Sequence, residues 1–568
     1  MAGRDRLRSG EPSGWQDTAC THLVFAGGQS VCHKPDARSS PTLPNSRKPQ
    51  EKHPFYPAPP VFRPRGEFRD PAGQNVLPWI NSLAFDALDA HERGIGPDSF
   101  RSGRASGGQC PTPRPNLDAN RPMHPPASLD LGPLSRRPRD ELAGTLAELF
   151  PRAIATETGR TSSASIGAVA RGGRAAAVAR LAAVDPVAYA RSRNHVAGAV
   201  TMLSPWIRHG VLSLAEVRDA ALSRVARPEQ ADKLVSELGW RDYWRQVHAV
   251  LGDGILSDIE PPAVVRRTPA LDRMPEDVLA ANTGMACIDA FVHRLNDTGW
   301  LHNHERMWLA SWLVHVRGVH WRVGADWFLR HLLDGDPASN HLSWQWVAGT
   351  FAARPYLFNR ENLETFTSGI HCRECPLLGR CDVEGSYEEL SLRLFDPTFP
   401  PLPRPSLRLR PVPPWRPGAC SAAPAPTRPL VWLTLDSAAP TSPAAVEFPS
   451  APRLFVIDPA WLDEERPSLA RLVFLFECLA DVPGAEIRVG PPAEILPARV
   501  AALGCDGIAV ADSPCPRTRR AGAVIAASMP VVTRDWPTFC DRSRVKDLGR
   551  FSRYWQAAGR SALTPTPA

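Results

Sequence analysis

The stretch from Thr298 to Thr350, TGWLHNHERMWLASWLVHVRGVHWRVGADWFLRHLLDGDPASNHLSWQWVAGT, limits what this chain can fold into more than any other. Met307, Ala310, Ser311 and Val314 recur at helical spacing in one run, and Trp327, Phe328 and Leu332 do so in the next, which reads as consecutive helices. Between and after those runs stand Asp334-Gly335-Asp336, Asn340 and Trp344-Gln345-Trp346. Carboxylates and amides buried beside Trp are costly unless something hydrogen-bonds them. A polar, planar ligand held among helices would satisfy them.

Composition sets the outer bounds. At 568 residues the chain has room for two or three domains. Its 60 prolines are about twice the usual share, so part of the length is expected to lack regular structure. The net charge of +7 suits a polyanion-binding surface without demanding one. Twelve scattered Cys follow no disulfide framework of a small secreted domain. The opening MAGRDRLRSGEPSGW lacks an apolar signal core, and no apolar run is long enough to cross a membrane. The expectation is a cytoplasmic monomer in a reducing setting with no membrane partner.

In order, TGW-x-HN-x-x-R-M, DGD-x-x-SN and WQW resemble the flavin-binding core of the DNA photolyase/cryptochrome family. The resemblance implies a multidomain chain with an all-α FAD-binding domain, and it gives roles to residues that the pattern alone leaves ambiguous. Trp300, Asn303, Arg306, Asp334, Asp336 and Asn340 map to the flavin pocket, with Asn340 near the reactive ring nitrogen. Without the resemblance, Asp334 and Asp336 read equally as helix caps. Met307 and Trp346 map to the lesion side of that pocket. Trp344 and Trp321 match the two inner members of the family's Trp electron-transfer chain. The outer member should fall near Thr268, where no Trp stands, so either Trp308, Trp312 or Trp327 serves instead or photoreduction is poor.

Residues 1–164 alternate Pro, Gly, Ser and Arg and are expected to be a mostly disordered extension, with 76–90 as its one short helix. A helical domain is expected over 165–395. Near its start, Tyr189-x-x-x-Arg193-Asn194 precedes a loop, Val200 to Ser213. Ser204-Pro205 in that loop reads as a plain helix cap, or as a phosphate-binding turn. The loop resembles the family's TS-x-LSP-x-L segment around the flavin diphosphate. That implies Tyr189, Thr201, Leu203 and Ser204 as cofactor contacts, with Val200 where the family usually has Thr. Arg208 and His209 are expected to meet DNA phosphates.

Ser236 to Val250 is an amphipathic helix that puts Glu237, Trp240 and Arg241 on one face. A Glu and a Trp side by side can receive an extruded base by hydrogen bonding and stacking. A surface ion pair over a core Trp fits the same spacing. The resemblance to E-x-x-WR-(E/D)-(F/Y) implies that Glu237 and Trp240 line the lesion pocket and that Arg241 contacts the flavin. Departures are the family's TGYP, here Thr283-Gly-Met-Ala286, and HNRLRM, here His302-Asn-His-Glu-Arg-Met307. The style is that of a bacterial side branch.

Cys372-x2-Cys375-x5-Cys381, preceded by His371, has thiolate spacing that can hold zinc or an iron–sulfur cluster, or can be free thiols in a loop. Residues 396–428 form a Pro-rich, semi-rigid linker. Over 429–560, short apolar strands alternate with helices, the pattern of an α/β doubly wound (Rossmann-like) domain. FVIDP, ARLVFLFECL and VG-x-PAEILP resemble the photolyase antenna domain, which precedes the flavin domain in the family and follows it here. A folate or deazaflavin antenna chromophore is therefore implied. The opening strand WLTLDSAAP lacks the basic residues usual after it, which suits an α/β module without a chromophore.

The resemblance implies a deoxyribodipyrimidine photo-lyase-like enzyme acting on damaged DNA. Electron transfer from photoexcited reduced FAD would split a flipped cyclobutane dimer. Glu237 and Asn303 would then contact the dimer, and Trp344 and Trp321 would re-reduce the flavin. The alternatives are a cryptochrome-like blue-light photoreceptor that binds FAD without repair, and a flavoprotein remnant.

Overall fold

The computed structural model describes residues 124–151, 167–398, 404, 406–417 and 424–564; the helix expected at 76–90 lies outside them. Residues 124–151 correct the expectation of an unstructured extension through 164. Helix α1 (Arg139–Leu149) and the residue that ends it bury Leu142, Ala143, Leu146 and Phe150. The Leu131 N–H donates to the Ile487 carbonyl at 2.8 Å, and the Asp130 carboxylate accepts from the Ile487 N–H at 3.0 Å. Buried Arg139 donates to Glu477 at 2.7 and 2.6 Å and to the carbonyls of Val169 and Ala170. The averaged composition hides this amphipathic helix, whose apolar face is completed only by residues over 300 positions away.

The helical layer follows. It opens with α2 (Arg174–Ala182), α3 (Pro186–Ser192), α4 (Ser204–Arg208), α5 (Leu214–Leu222) and the long α6 (Asp232–Leu251). It continues with α7 (Ala286–Thr298), α8 (Asn303–Ser311), α9 (Trp321–His331), α10 (Pro337–Ala348), α11 (Arg360–Thr367) and α12 (Tyr387–Leu394). Local chemistry sets the starts. Asp185 caps α3, accepting from the Val187 and Ala188 N–H groups at 2.9 Å, with Pro186 in the first position. Asp336 and Pro337 repeat the device at α10. His302 and Glu305 cap α8 reciprocally. Gly299, at φ +63°, turns the chain out of α7 in a left-handed conformation that a side chain would oppose.

Five parallel strands make the second layer: β1 (Pro429–Leu433), β2 (Arg453–Ile457), β3 (Ala485–Val489), β4 (Gly507–Ala511) and β5 (Val531–Arg534), in the order β3-β2-β1-β4-β5. Central strands β1 and β4 are buried throughout, because helices cover both faces and no alternation is needed. Helix α13 (Leu469–Ala480) packs with α1 on one face, while α14 (Pro492–Leu503) and α15 (Pro516–Ala526) pack on the other. This is the doubly wound arrangement, with its switch point between β1 and β4.

The last helix, α16 (Phe551–Ala562), departs from the expected boundary at 560. Phe551, Tyr554 and Ala558 enter the helical core beside Trp240, Tyr243 and Trp244. The Tyr554 hydroxyl donates to Asp242 at 2.6 Å, and the Tyr243 hydroxyl donates to the Leu548 carbonyl at 2.9 Å. The described part of the Pro-rich segment is docked along both layers. Arg404 donates to the carbonyls of Pro261, Gly349 and Ala352; the Leu409 N–H donates to Asp547 at 3.0 Å; the Trp415 carbonyl accepts from Thr533 at 2.8 Å. No helix among the described residues is long and apolar enough to cross a membrane.

Candidate functional site

A cavity of about 120 Å³ opens among α3, α4, α6, α8 and α10. It collects Tyr189, Thr201, Ser204, Glu237, Arg241, Trp300, Asn303, Arg306, Asp334 and Asn340 from five separate stretches. Arg193, Met202, His302 and Ser339 also line it and were not singled out by sequence. Arg193, one turn beyond Tyr189 on the same helix face, was the readable signal among them. Met202 has φ +54°, a left-handed backbone for a long side chain, at the cavity wall.

The unpaired side-chain polar atoms of the residues lining this space are all oxygens. Both Glu237 oxygens, Asn303 Oδ1, Asp334 Oδ1 and Asn340 Oδ1 are buried without a hydrogen-bond partner. The Asp334 and amide oxygens among them are acceptors. Such groups are costly when left bare, so the cavity calls for a ligand that carries several N–H or O–H donors.

Fixed cations stand among these acceptors. Arg306 donates to Asp334 at 2.9 Å and to the Leu301 carbonyl at 3.0 Å. Arg241 lies 3.8 Å from Asp336, while Arg193 and Lys233 lie 3.6 and 3.5 Å from Glu237. Burial pushes the Glu237 carboxyl up to about 8, and the pull of Arg193 and Lys233 only partly offsets it. Burial thus favours the protonated form of Glu237. Burial would raise Asp336 as well, but Arg241 and Arg208 outweigh it and hold this carboxyl well below the usual range. Burial and fixed charge thus push these two carboxyls in opposite directions. Burial drives His302 down to about 4, so it is neutral where it caps α8.

Several expected residues lie elsewhere. Leu203 is core, 1% exposed, and is not part of the cavity wall. Asp336 sits behind the wall, where it caps α10 and pairs with Arg241. Met307 is buried, its sulfur accepting from Asn303 Nδ2 at 3.2 Å. Trp240 does not line the cavity; its ring is stacked on Phe551. Trp346 packs against Tyr356, with ring centroids 5.5 Å apart. Arg208 and His209 are buried at the junction of the two layers. Arg208 pairs with Asp436 and donates to the Gly335 carbonyl at 2.8 Å, and His209 Nδ1 meets the Leu435 carbonyl at 3.0 Å. Neither is available to phosphates.

Trp344 and Trp321 belong to one core, on α10 and α9. Gly324 lets the Trp344 ring approach α9; a Cβ there would fall 2.3 Å from the ring. Trp321 Nε1 donates to Asp258 at 2.6 Å. Trp308, Trp312 and Trp327 are at most 2% exposed, which removes them as a surface-facing outer member. The cysteines also need a correction. Among the described residues, no three His, Cys, Asp or Glu side chains are placed to hold a metal ion, so the structure does not support the zinc or iron–sulfur reading of Cys372, Cys375 and Cys381.

A larger cavity, about 370 Å³, lies at the switch point of the sheet. It is lined by Asp436, Asp512 and Trp536 from strand ends and by Arg241, Arg245 and Arg542. Ligands of doubly wound sheets bind at this place.

Residues 234–368 match the model of a family described as the FAD binding domain of DNA photolyase. A deoxyribodipyrimidine photo-lyase of Streptomyces griseus is 39% identical over 163 residues, 28% of this chain and 35% of that protein. A cryptochrome DASH of Oryza sativa subsp. japonica is 35% identical over 167 residues, 28% of each chain. An archaeal photolyase structure from Sulfolobus tokodaii, described as holding two FAD molecules, is 30% identical with a TM-score of 0.28, covering 34% of this chain and 44% of that one. The chain spans about a third of the length of the curated relatives it matches. The matched stretch holds α6, with Glu237 and Arg241, and the wall from Trp300 to Asn340. Over residues 234–368, then, the chain is similar to the FAD binding domains of DNA photolyases.

Proposed function

We propose that this protein is a light-driven DNA repair flavoprotein that acts on a cyclobutane pyrimidine dimer. The cavity wall suits FAD by donor chemistry: its ring N–H, ribityl hydroxyls and adenine amine are the donors that Asn303, Asp334 and Asn340 lack. Arg241, Arg193 and Arg306, with the hydroxyls of Thr201 and Ser204, suit its diphosphate. When bound and reduced, this cofactor supplies an electron on absorbing blue light. The observation that carries the repair reading is Glu237. A buried carboxyl with a pKa of about 8 keeps a proton it can donate to a pyrimidine carbonyl, which favours negative charge on that ring. Asn303 lines the same cavity.

One observation favours a photoreceptor without repair: the ring of Trp240, expected to hold an extruded base, is covered by Phe551. The 370 Å³ cavity supports an antenna chromophore under either reading.

The test is a paired light and dark assay with photoreduced protein and an oligonucleotide carrying one cyclobutane thymine dimer. Light-dependent loss of the dimer, reduced at least tenfold in Glu237→Ala, supports repair. Flavin photoreduction with no loss of the dimer gives the photoreceptor reading its place.

A further inference from the structure

We propose that Arg180 is a positioning residue for the flavin cavity: it grips the loop between α3 and α4 from behind and so aims two backbone N–H groups at an anionic part of the ligand. This role rests on the cavity taking FAD, whose diphosphate is then the group held. Arg180 does not line the cavity; it stands in the last turn of α2.

Val200, Thr201 and Met202 of the loop line the cavity. Arg180 Nε donates to the Thr201 carbonyl at 2.7 Å, and its Nη2 donates to the Val200 carbonyl at 3.0 Å. Among the described residues, these two carbonyls are the hydrogen-bond partners of the guanidinium, and no carboxylate pairs with it.

The peptide bond turns this grip into an orientation. In a planar trans peptide the C=O and the N–H point to opposite sides. The Val200 carbonyl shares its peptide with the Thr201 N–H, and the Thr201 carbonyl shares its peptide with the Met202 N–H. With both carbonyls turned to Arg180, both N–H groups face away from it. Neither N–H donates to any group among the described residues. Two adjacent amide donors left open on a cavity wall suit an acceptor that carries negative charge. The cation on the carbonyl side also polarises each peptide, which makes its N–H a stronger donor.

The arrangement strains the backbone at Met202. Its φ of +54° is left-handed, a region that a long side chain disfavours and glycine does not. Met202 is 36% exposed, so packing of its side chain does not hold the strained form. The ends of the loop allow little adjustment. Before it, the Gly198 N–H donates to the His195 carbonyl at 2.8 Å, and a Cβ on Gly198 would fall 1.9 Å from the Ser192 carbonyl oxygen. After it, Leu203 is buried in the core. Between those fixed points, the two bonds from Arg180 keep Met202 left-handed.

The test uses the full chain stripped of flavin, titrated with FAD and, separately, with riboflavin, which has no phosphate. Arg180→Ala should weaken FAD binding by at least about tenfold, the effect of one hydrogen bond to a charged group, and leave riboflavin binding within about twofold. Arg180→Lys keeps the charge without the two-pronged fork, and its FAD affinity should fall between. Met202→Gly, free to be left-handed, should recover part of the FAD affinity when combined with Arg180→Ala. Circular dichroism identifies a variant that fails to fold; Arg180→Lys carries the comparison if Arg180→Ala does. Equal FAD affinity in the wild type and both Arg180 variants overturns the proposal. So does an equal loss for FAD and riboflavin, the mark of a general structural role. Wild-type protein that takes up no FAD overturns the cofactor reading, and the role of Arg180 with it.

Discussion

The indole of Trp240 lies flat on the ring of Phe551, with centroids 3.8 Å apart and planes 14° from parallel. One ring comes from α6, the wall of the flavin cavity, and the other from α16, more than 300 residues later. Beside them Trp555 rests on Gly239, where a Cβ would fall 2.1 Å from the indole. Helix α16 is therefore part of the helical core.

Phe551→Ala removes this stack and leaves a void under Trp240. Stability should fall by about 3–5 kcal/mol, the usual cost of truncating a buried Phe. Denaturant titration checks this: the midpoint should drop while the slope is unchanged.

Glu237→Gln should change how stability depends on pH. Burial raises the folded carboxyl from 4.5 to about 8, so the folded state keeps a proton that the unfolded chain releases. The wild-type protein is then most stable, in this respect, below about pH 4.5. It loses up to about 1.4 kcal/mol per pH unit as the pH rises toward 8. The glutamine variant should lack that slope. Unfolding free energies measured every half unit from pH 5 to 8 would show the two curves converging at the acid end, and parallel curves would remove the claim.

Gly324→Ala forces a methyl group into the Trp344 ring. Overpacking of this kind costs about 1–3 kcal/mol. The same displacement should slow light-driven flavin reduction, and Trp344→Phe should slow it further without a comparable loss of stability. Absorbance changes under blue light with a thiol donor separate the two effects.

Arg139→Ala leaves Glu477 without its main partner and frees the carbonyls of Val169 and Ala170. Loss of one member of a buried ion pair costs about 3–5 kcal/mol. The expected result is release of residues 124–151 from the sheet, seen as new protease cleavage in that segment while the helical layer stays resistant.

Local spacing carried much of the architecture. Alternating apolar runs and helical stretches after residue 429 announced a doubly wound layer, and five parallel strands stand there. Glu237 and Arg241, one turn apart, were readable as neighbours on one face, and both reach the cavity. What spacing cannot carry is which distant element covers a face. Trp240 shares that helix with Glu237, yet α16 covers it. Arg208 looked like a free cation because Asp436, its partner, lies more than 200 residues away. Helix α1 was lost in an average over Pro and Gly. Cys287, isolated in sequence, meets Cys372, Cys375 and Cys381 only once α7 and the segment after α11 are packed.

The return of α16 to the helical core imposes an order on biosynthesis. While the ribosome is still making the sheet layer, α6 already exists, but Trp240, Tyr243 and Trp244 have no cover. The nascent chain must carry this aromatic face exposed until residues 551–562 have emerged, a period when unpaired apolar surface invites aggregation. Flavin capture by the wall of α6 is thus coupled to the emergence of residues 551–562, and a chain truncated before residue 551 should neither hold the cofactor nor escape the chaperones.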